Sequence, residues 1–459
     1  MSGSSKIRFA FYGDDFTGST DALEFLVAAG LKTRLFLDEA ALSQADNLES
    51  LDAVGLAGMT RAMTPEGMTL TLTSAFEKLR KLKTDHVHYK VCSTFDSSPE
   101  IGNIGVAITC GQQVFGLQCT PILVAAPTLG RFMAFGNLFA KMGTGSNGST
   151  YRLDQHPSMS QHPTTPAYDG DLRDHLRRQI DLKIGLIDLT DLEKSDEYLQ
   201  NKMRDLEASG CGVVFMDAVY ESQMKHLGSI LDQITQKTLF SVGSSGVEKA
   251  LGDYWEDVGL FEKRRDWQEL TPVNALLVLS GSASPVTSNQ IDHVVKIGWH
   301  EIAVDPQSLD HPDKFISQYA DEIVQAIRNE QSVIIHTCKG PQDSRIQETV
   351  FILESRGLSG LELKRSTAEE FGAILGKTAK LVLDQVDFKR LVIAGGDTSS
   401  YVARQLGIDS VEMIAPLVKG APLCKAFSKT SKISGMEVNL KGGQIGSESY
   451  FESLRLGKI

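Results

Sequence analysis

The stretch Gly13-Asp14-Asp15-Phe16-Thr17-Gly18-Ser19-Thr20-Asp21 sets two adjacent carboxylates among hydroxyl-bearing residues. Two acids side by side repel, and each raises the other's pKa, so the pair points to something that binds it: a ligand with hydroxyls, or a metal. The competing reading is local, with Asp14 and Asp15 shaping a turn and Ser19 or Thr20 capping the helix that follows. A second set of donors lies at His88 to Ser98 and in Gly102-Asn103-Ile104-Gly105. There Lys90, Ser93, Thr94 and Asn103 can each donate to a carboxylate, and Lys90 supplies the positive charge that an acid substrate requires. Taken alone, Lys90 reads first as the partner of a surface acid. Arg61 is a second cationic position at a strand end, and Asp217 is a further candidate of the same kind, with strand capping as its alternative.

Three glycine-rich loops in the C-terminal half carry a different chemistry. Ser280 to Thr287, with Ser282, follows a buried-type strand and leads into a helix. Its amides and hydroxyls are suited to an anion at the helix N-terminus. Gly395, Gly396, Asp397, Thr398 and Ser399 repeat that context, and Lys441 to Gly446, with Gly442 and Gly443, adds a third backbone capable of close approach. Together they suggest a nucleotide pocket, whereas each alone could be a positive-φ turn with a Ser or Thr cap. Neither GxxxxGK[ST] nor GxGxxG is present, which excludes a P-loop and the dinucleotide fingerprint.

The elements that must hold these residues alternate. Ile7 to Tyr12 reads as a strand and Ala22 to Ala29 as a helix stopped by Gly30. Further strands are expected at Thr33 to Leu37, Ala53 to Gly58, His86 to Cys92, Pro121 to Pro127, Lys183 to Leu189, Gly212 to Ala218 and Thr238 to Val242. Pro65 to Lys83 reads as a helix capped by Thr64. Lys141 to Thr150 reads as a flexible excursion, and Tyr151 to Tyr168 as an ordered loop. After the charged, aperiodic stretch Trp255 to Pro272, strands are expected at Ala275 to Leu279, Glu301 to Val304, Ser332 to His336, Leu391 to Ala394, Met413 to Leu417, Leu423 to Ser428 and Met436 to Leu440. Helices are expected at Ile316 to Arg328, Ala368 to Val386 and Tyr401 to Leu406. Such alternation implies mostly parallel sheets covered on both faces. In such sheets ligands sit outside the carboxyl ends of the strands.

The 459 residues exceed one ordinary core, since domains run to roughly 150 residues; two are expected, 1–262 and 263–459. A net charge of −12 argues against nucleic acid as a partner. The six cysteines lack metal-ligand spacing, so no metal site is assigned and reduced, mostly buried thiols are expected. No leader-like segment or long apolar span is evident, which makes the cytoplasm the default and a membrane unexpected.

The motifs Gly13 to Asp21, Lys90 to Ser98 with Gly102 to Gly105, His162-Pro163-x-Thr165-Pro166, Ser280-Gly281-Ser282, Gly395 to Ser399 and Lys441-Gly442-Gly443 occur in order over nearly the whole chain. Together they resemble the four-carbon acid sugar kinase family, which includes threonate, erythronate and 3-oxo-tetronate kinases. The resemblance implies two α/β domains, the first binding a sugar acid and the second ATP, with transfer of the γ-phosphoryl group to a substrate hydroxyl across the interdomain cleft and Mg²⁺ on the phosphates. On that reading Asp15 is the general base, with Asp14 orienting it or contacting substrate hydroxyls. Arg61, Lys90 and Ser93 meet the substrate carboxylate, and the C-terminal loops hold ATP. The chain departs from many relatives at Arg131 to Pro157, where theirs is shorter, and at Lys-Gly-Gly, where theirs is often Lys-Ser-Gly. A non-catalytic sugar-acid sensor is the rival class, disfavoured by intact glycine loops; a NAD-dependent dehydrogenase lacks its fingerprint. The expected partners are thus a small sugar acid and ATP, with a homo-oligomer allowed.

Overall fold

The computed structural model describes residues 7–142, 148–162, 164–234 and 237–458, without the side chain of Asp397. Part of the glycine-serine tract (143–147) and Pro163 of the His162 to Pro166 motif lie outside the described residues. The chain forms two compact units, Met1–Arg265 and Asp266–Ile459. Among the described residues no helix is long and apolar enough to cross a membrane.

The strands of the first unit are β1 (Phe9–Gly13), β2 (Thr33–Phe36), β3 (Ala53–Ala57), β4 (His86–Lys90), β5 (Thr120–Leu123), β6 (Arg131–Ala134), β7 (Asn137–Lys141), β8 (Thr150–Arg152), β9 (Lys183–Ile187), β10 (Cys211–Met216) and β11 (Leu239–Gly243). Eight of them lie parallel in the order β2-β3-β1-β4-β11-β5-β10-β9. β1, β3, β4 and β11 are buried along their whole length, so β1, β3 and most of β11 read as apolar runs, while β4 alternates His86, His88 and Lys90 with Val87 and Tyr89. The chain passes from β1 through β2 to β3 on one side and then crosses to β4 on the other. This makes the β1/β4 boundary a topological switch point.

Two expectations are corrected here. The first helix begins at Phe16, not beyond Ser19, because Asp15 is its N-cap. The strands β6, β7 and β8 form a separate antiparallel sheet that the expected strands omit, so Lys141 and Thr150 to Arg152 belong to strands rather than to the expected excursion and loop. Residues 153–162 and 164–168 run as the expected ordered loop with one short turn, Leu153–Gln155. The β6–β7 turn places Phe135 at φ 51° and Gly136 at φ 81°, the left-handed pair that a two-residue hairpin needs. A phenylalanine at such a position gives no turn signal in sequence.

The second unit contains β12 (Leu277–Ser280), β13 (His300–Ala303), β14 (Val333–His336), β15 (Arg390–Ala394), β16 (Ser410–Val418), β17 (Ala421–Phe427) and β18 (Glu437–Lys441). The order is β13-β14-β12-β15-β18-β17-β16, parallel as far as β18 and antiparallel over the last two pairings. Its switch point falls between β12 and β15. One core cluster, including Leu276, Val278, Ile334, Val392 and Phe451, fixes the sheet under the loops that follow. Helices run longer than their apolar periodicity suggests: Gly360–Gln385 where Ala368 to Val386 is expected, and Asp397–Gln405 where Tyr401 to Leu406 is expected. The first two turns of Gly360–Gln385 are largely exposed, and Thr398, Ser399 and Ser400 of the second helix are buried but hydroxyl-bearing, so neither start carries an apolar pattern.

Candidate active site

The two acids stand at the first switch point. Gly13 pairs in register with Lys90, and the Asp14 amide donates to the Lys90 carbonyl at 2.9 Å. Asp15 keeps an extended backbone and caps the helix Phe16–Ala28. Its Oδ1 accepts the Gly18 amide at 2.8 Å, and its Oδ2 accepts the Thr17 hydroxyl at 2.8 Å. Arg61 answers the charge problem that the acid pair poses. Its Nε and Nη2 hold the two oxygens of Asp14 at 3.0 and 2.7 Å, and Nη2 also reaches Asp15 Oδ1 at 2.8 Å. Arg61 thus offsets one of the two negative charges through Nε and Nη2, while its Nη1 makes no hydrogen bond among the described residues.

The two carboxylates differ. The Asp14 side chain is 4% exposed and that of Asp15 19%. Burial raises the pKa of Asp14 although Arg61 opposes it. For Asp15 burial is outweighed by Arg61, the Thr17 hydroxyl and the Gly18 amide, which hold it below the usual range. Asp15 is thus ionised and the more accessible, and Asp14 serves as the anchor for Arg61.

Lys90 is buried, which overturns the surface-acid reading. Its Nζ donates to the Val91 carbonyl at 3.1 Å and lies 3.4 Å from Asp21 Oδ2. Burial would lower its pKa, but Asp21 and Glu248 lead a group of acids that raise it. The period of two puts His86, His88 and Lys90 on one face of β4. Ser241 of β11 bridges the two imidazoles at 2.6 and 2.9 Å. Glu248, in the helix Gly246–Asp257, is fully buried and has no hydrogen-bond partner for either oxygen among the described residues. Burial pushes its pKa up to about 8.

The remaining first-unit candidates divide. The Ser93 hydroxyl, half-buried, has no partner among the described residues and is open to a ligand. Thr94 donates to Asp96 Oδ1 at 2.7 Å. Asn103 is an N-cap: its oxygen accepts the Val106 amide at 2.9 Å and its nitrogen donates to the Pro99 carbonyl at 3.1 Å. Its loop still shapes the site, since Gly102 at φ 63° passes Arg61 so closely that a Cβ would lie 2.7 Å from the Arg61 carbonyl oxygen. Asp217 accepts the Phe135 and Gly136 amides at 2.5 and 3.0 Å, so it clamps the β6–β7 turn. Burial pushes it up to about 6.

In the second unit the three glycine loops leave the carboxyl ends of neighbouring strands, with Ser280 opposite Ala394 and Ala394 opposite Lys441. They pack backbone to side chain. A Cβ on Gly281 would lie 2.4 Å from Thr398 Cγ2, and one on Gly443 2.5 Å from Ser282 Oγ. Ser399 donates to the Gly395 carbonyl at 2.7 Å. Gly395, at φ 146°, has a conformation that only glycine adopts freely. A Cβ on Gly396, by contrast, would meet nothing within 4 Å. Gly396 precedes the helix Asp397–Gln405, so this open space lies where amides can face an anion. Gly442 follows Lys441, whose Nζ donates to the Gly442 carbonyl at 3.0 Å and to Thr287 Oγ1 at 3.2 Å. Among the described residues Lys441 has no carboxylate partner, and burial pulls it down to about 7.

The side chains of Asp21, Glu248 and Lys441 escaped the sequence reading. Glu248 follows β11 by the same strand-turn-helix signature that drew attention to Asp15, here Ser244-Ser245-Gly246. Lys441 was visible as a loop residue, but its burial was not.

Two family models match the chain: a sugar-binding N-terminal domain over residues 9–251 and a nucleotide-binding C-terminal domain over residues 277–451. The 3-oxo-isoapionate kinase of Paraburkholderia graminis is 38% identical over 456 residues, 99% of this chain and 95% of that protein. The 3-oxo-tetronate kinase of Brucella melitensis is 26% identical, covering 97% of this chain and 94% of its own. A solved structure from Salmonella typhimurium LT2 has the same fold, with a TM-score of 0.74 at 24% identity over 97% of this chain and 98% of the other.

Proposed function

The chain belongs to the four-carbon acid sugar kinase family, and from that membership we propose that it transfers the γ-phosphoryl group of ATP to a hydroxyl of a 3-oxo sugar acid, with 3-oxo-isoapionate the first candidate. The observation that carries the choice is the 38% identity to a 3-oxo-isoapionate kinase over nearly the full length of both proteins. Phosphoryl transfer asks for positioning and charge neutralisation more than for a strong base. Asp15 suits this: it is ionised, partly accessible, and among the described residues its Oδ2 accepts only the Thr17 hydroxyl, which leaves room for a substrate hydroxyl to donate. Asp14 fixes Arg61, and Arg61 keeps the acid pair from repelling an anionic substrate. Lys90 adds buried positive charge, and the free Ser93 hydroxyl donates to the substrate.

On the nucleotide side Ser282, Gly395, Gly396, Thr398, Ser399, Gly442 and Gly443 line the phosphates, with Asp397 at the start of its helix. Lys441, with no acid beside it among the described residues, regains its proton next to phosphate. Mg²⁺ enters with ATP, held chiefly by phosphate oxygens and water. Among the described residues no group of three His, Cys, Asp or Glu side chains is arranged to build a metal site from protein alone. A reaction that consumes ATP suits the cytoplasm. The test is a coupled ADP-release assay over 3-oxo-isoapionate, 3-oxo-tetronate, erythronate and threonate. ATP-dependent turnover of a 3-oxo acid is expected; turnover of none of the four would reject the reading.

A further inference from the structure

Arg131 opens β6 and is 8% exposed, yet among the described residues it has no acid partner. Its guanidinium is locked from one end: Nη1 donates to the carbonyls of Leu129, Gly130 and Lys141 at 3.2, 3.2 and 3.1 Å. Nε is buried and has no acceptor among the described residues, and none bonds Nη2 either. Nε and Nη2 form the edge with two parallel N–H groups, the geometry that matches a carboxylate. A buried cation in this state is costly unless an anion completes it.

Its surroundings place Arg131 on the ligand side of the parallel sheet. Ala126, beyond the carboxyl end of β5, exchanges backbone hydrogen bonds with Arg131 at 2.9 and 3.2 Å, and Met133 donates to the carbonyl of Ala218, just past β10, at 2.8 Å. The small sheet is therefore stitched to the ligand side of the parallel one. Cys92 and Asp96, which flank Ser93 and Thr94, act electrostatically on Arg131, and Cys92 also acts on Arg61. His156 lies within electrostatic reach of Arg131. Its Nδ1 accepts the amides of Ser158 and Met159 at 3.2 and 3.3 Å, which puts the proton of the neutral ring on Nε2. That N–H has no acceptor among the described residues.

Arg61 holds Asp14 and Asp15 through Nε and Nη2, and Lys90 is buried beside Asp21, so both cations expected to read the substrate carboxylate are already partly paired. We propose that Arg131 binds the carboxylate of the sugar acid through its Nε/Nη2 edge, with His156 Nε2–H as a second donor. Arg131 and His156 thereby decide that the acceptor is an acid. The proposal rests on the sugar-acid kinase reading above and goes beyond it by naming the group that recognises the acid.

The test uses the full chain with 3-oxo-isoapionate, 3-oxo-tetronate and the neutral analogue of each in which hydroxymethyl replaces the carboxylate. Arg131→Met should raise KM for the acid about tenfold to a hundredfold, leave KM for ATP within about twofold, and abolish the preference for acid over neutral analogue. Arg131→Lys keeps the charge without the two-donor edge and should fall between. Because Nη1 also ties the hairpin, thermal unfolding accompanies each variant. Should Arg131→Met fail to fold, His156→Asn, which retains an acceptor for the two amides, should still raise the acid KM by about threefold to tenfold. Calorimetric titration of the acid without ATP separates the two readings. Arg131-dependent binding without turnover sinks the kinase reading and keeps this one. Turnover with an acid KM unchanged in folded Arg131→Met does the reverse. Arg131-dependent binding of inorganic phosphate in place of the acid also overturns the proposal.

Discussion

Asp15 performs two tasks with one carboxylate, and a substitution can separate them. As N-cap it accepts the Gly18 amide; as proposed base it needs a negative oxygen beside the substrate hydroxyl. Asparagine caps a helix about as well as aspartate but cannot take a proton. Asp15→Asn is therefore expected to lower kcat by about 10²-fold while the unfolding midpoint stays within a degree or two and nucleotide affinity is unchanged. Steady-state kinetics and a melt measure both. Activity within a few-fold of the parent would remove Asp15 from the chemistry and leave it the cap that local turn preferences suggest. The residue types at this site were readable in the chain, because two acids followed by Thr and Gly are unusual after a buried strand. The pairing of Arg61 with both acids was not, since 46 and 47 positions separate it from them.

At the scale of elements the glycine loops make the sharpest claim. Gly281 and Gly443 are spaced by their neighbours' side chains, so substituting them would disturb packing first. Gly396 is the informative one, because its missing side chain leaves open space rather than filling a contact. Gly396→Val should fold normally, weaken ATP by tenfold or more, and leave sugar-acid binding nearly unaltered. Titration of each ligand separately, with circular dichroism, checks it; equal losses for both would point to misfolding. Most parallel strands were legible because both faces are buried and the apolar run is continuous. The sheet of β6, β7 and β8 was not. Its strands are short, and its turn is held by Asp217 from a distant part of the chain rather than by turn residues of its own.

For the whole molecule, the buried polar stripe behind β4 gives a pH signature. Glu248 is pushed by burial to about 8 in the folded state, against 4.5 when unfolded. Between those values the native state holds a proton that the unfolded state releases, so this group's contribution is full below about pH 4.5 and is lost as pH rises through about 8. Glu248→Gln is neutral throughout and should remove that slope, raising the unfolding midpoint by roughly 5 °C at pH 8 and by little at pH 5. Melts at the two pH values measure it, and an equal shift at both would show that Glu248 does not titrate in this window. By itself the sequence determined the alternating α/β plan, the two switch-point motifs and the family, because strand burial, turn chemistry and motif order are written in neighbouring residues. Only the tertiary structure decided which charges are already paired. Arg61 on Asp14 and Asp15, Lys90 beside Asp21, and Arg131 left with an open edge are outcomes of which strand ends meet, and that is set by sheet order across tens of residues of intervening chain.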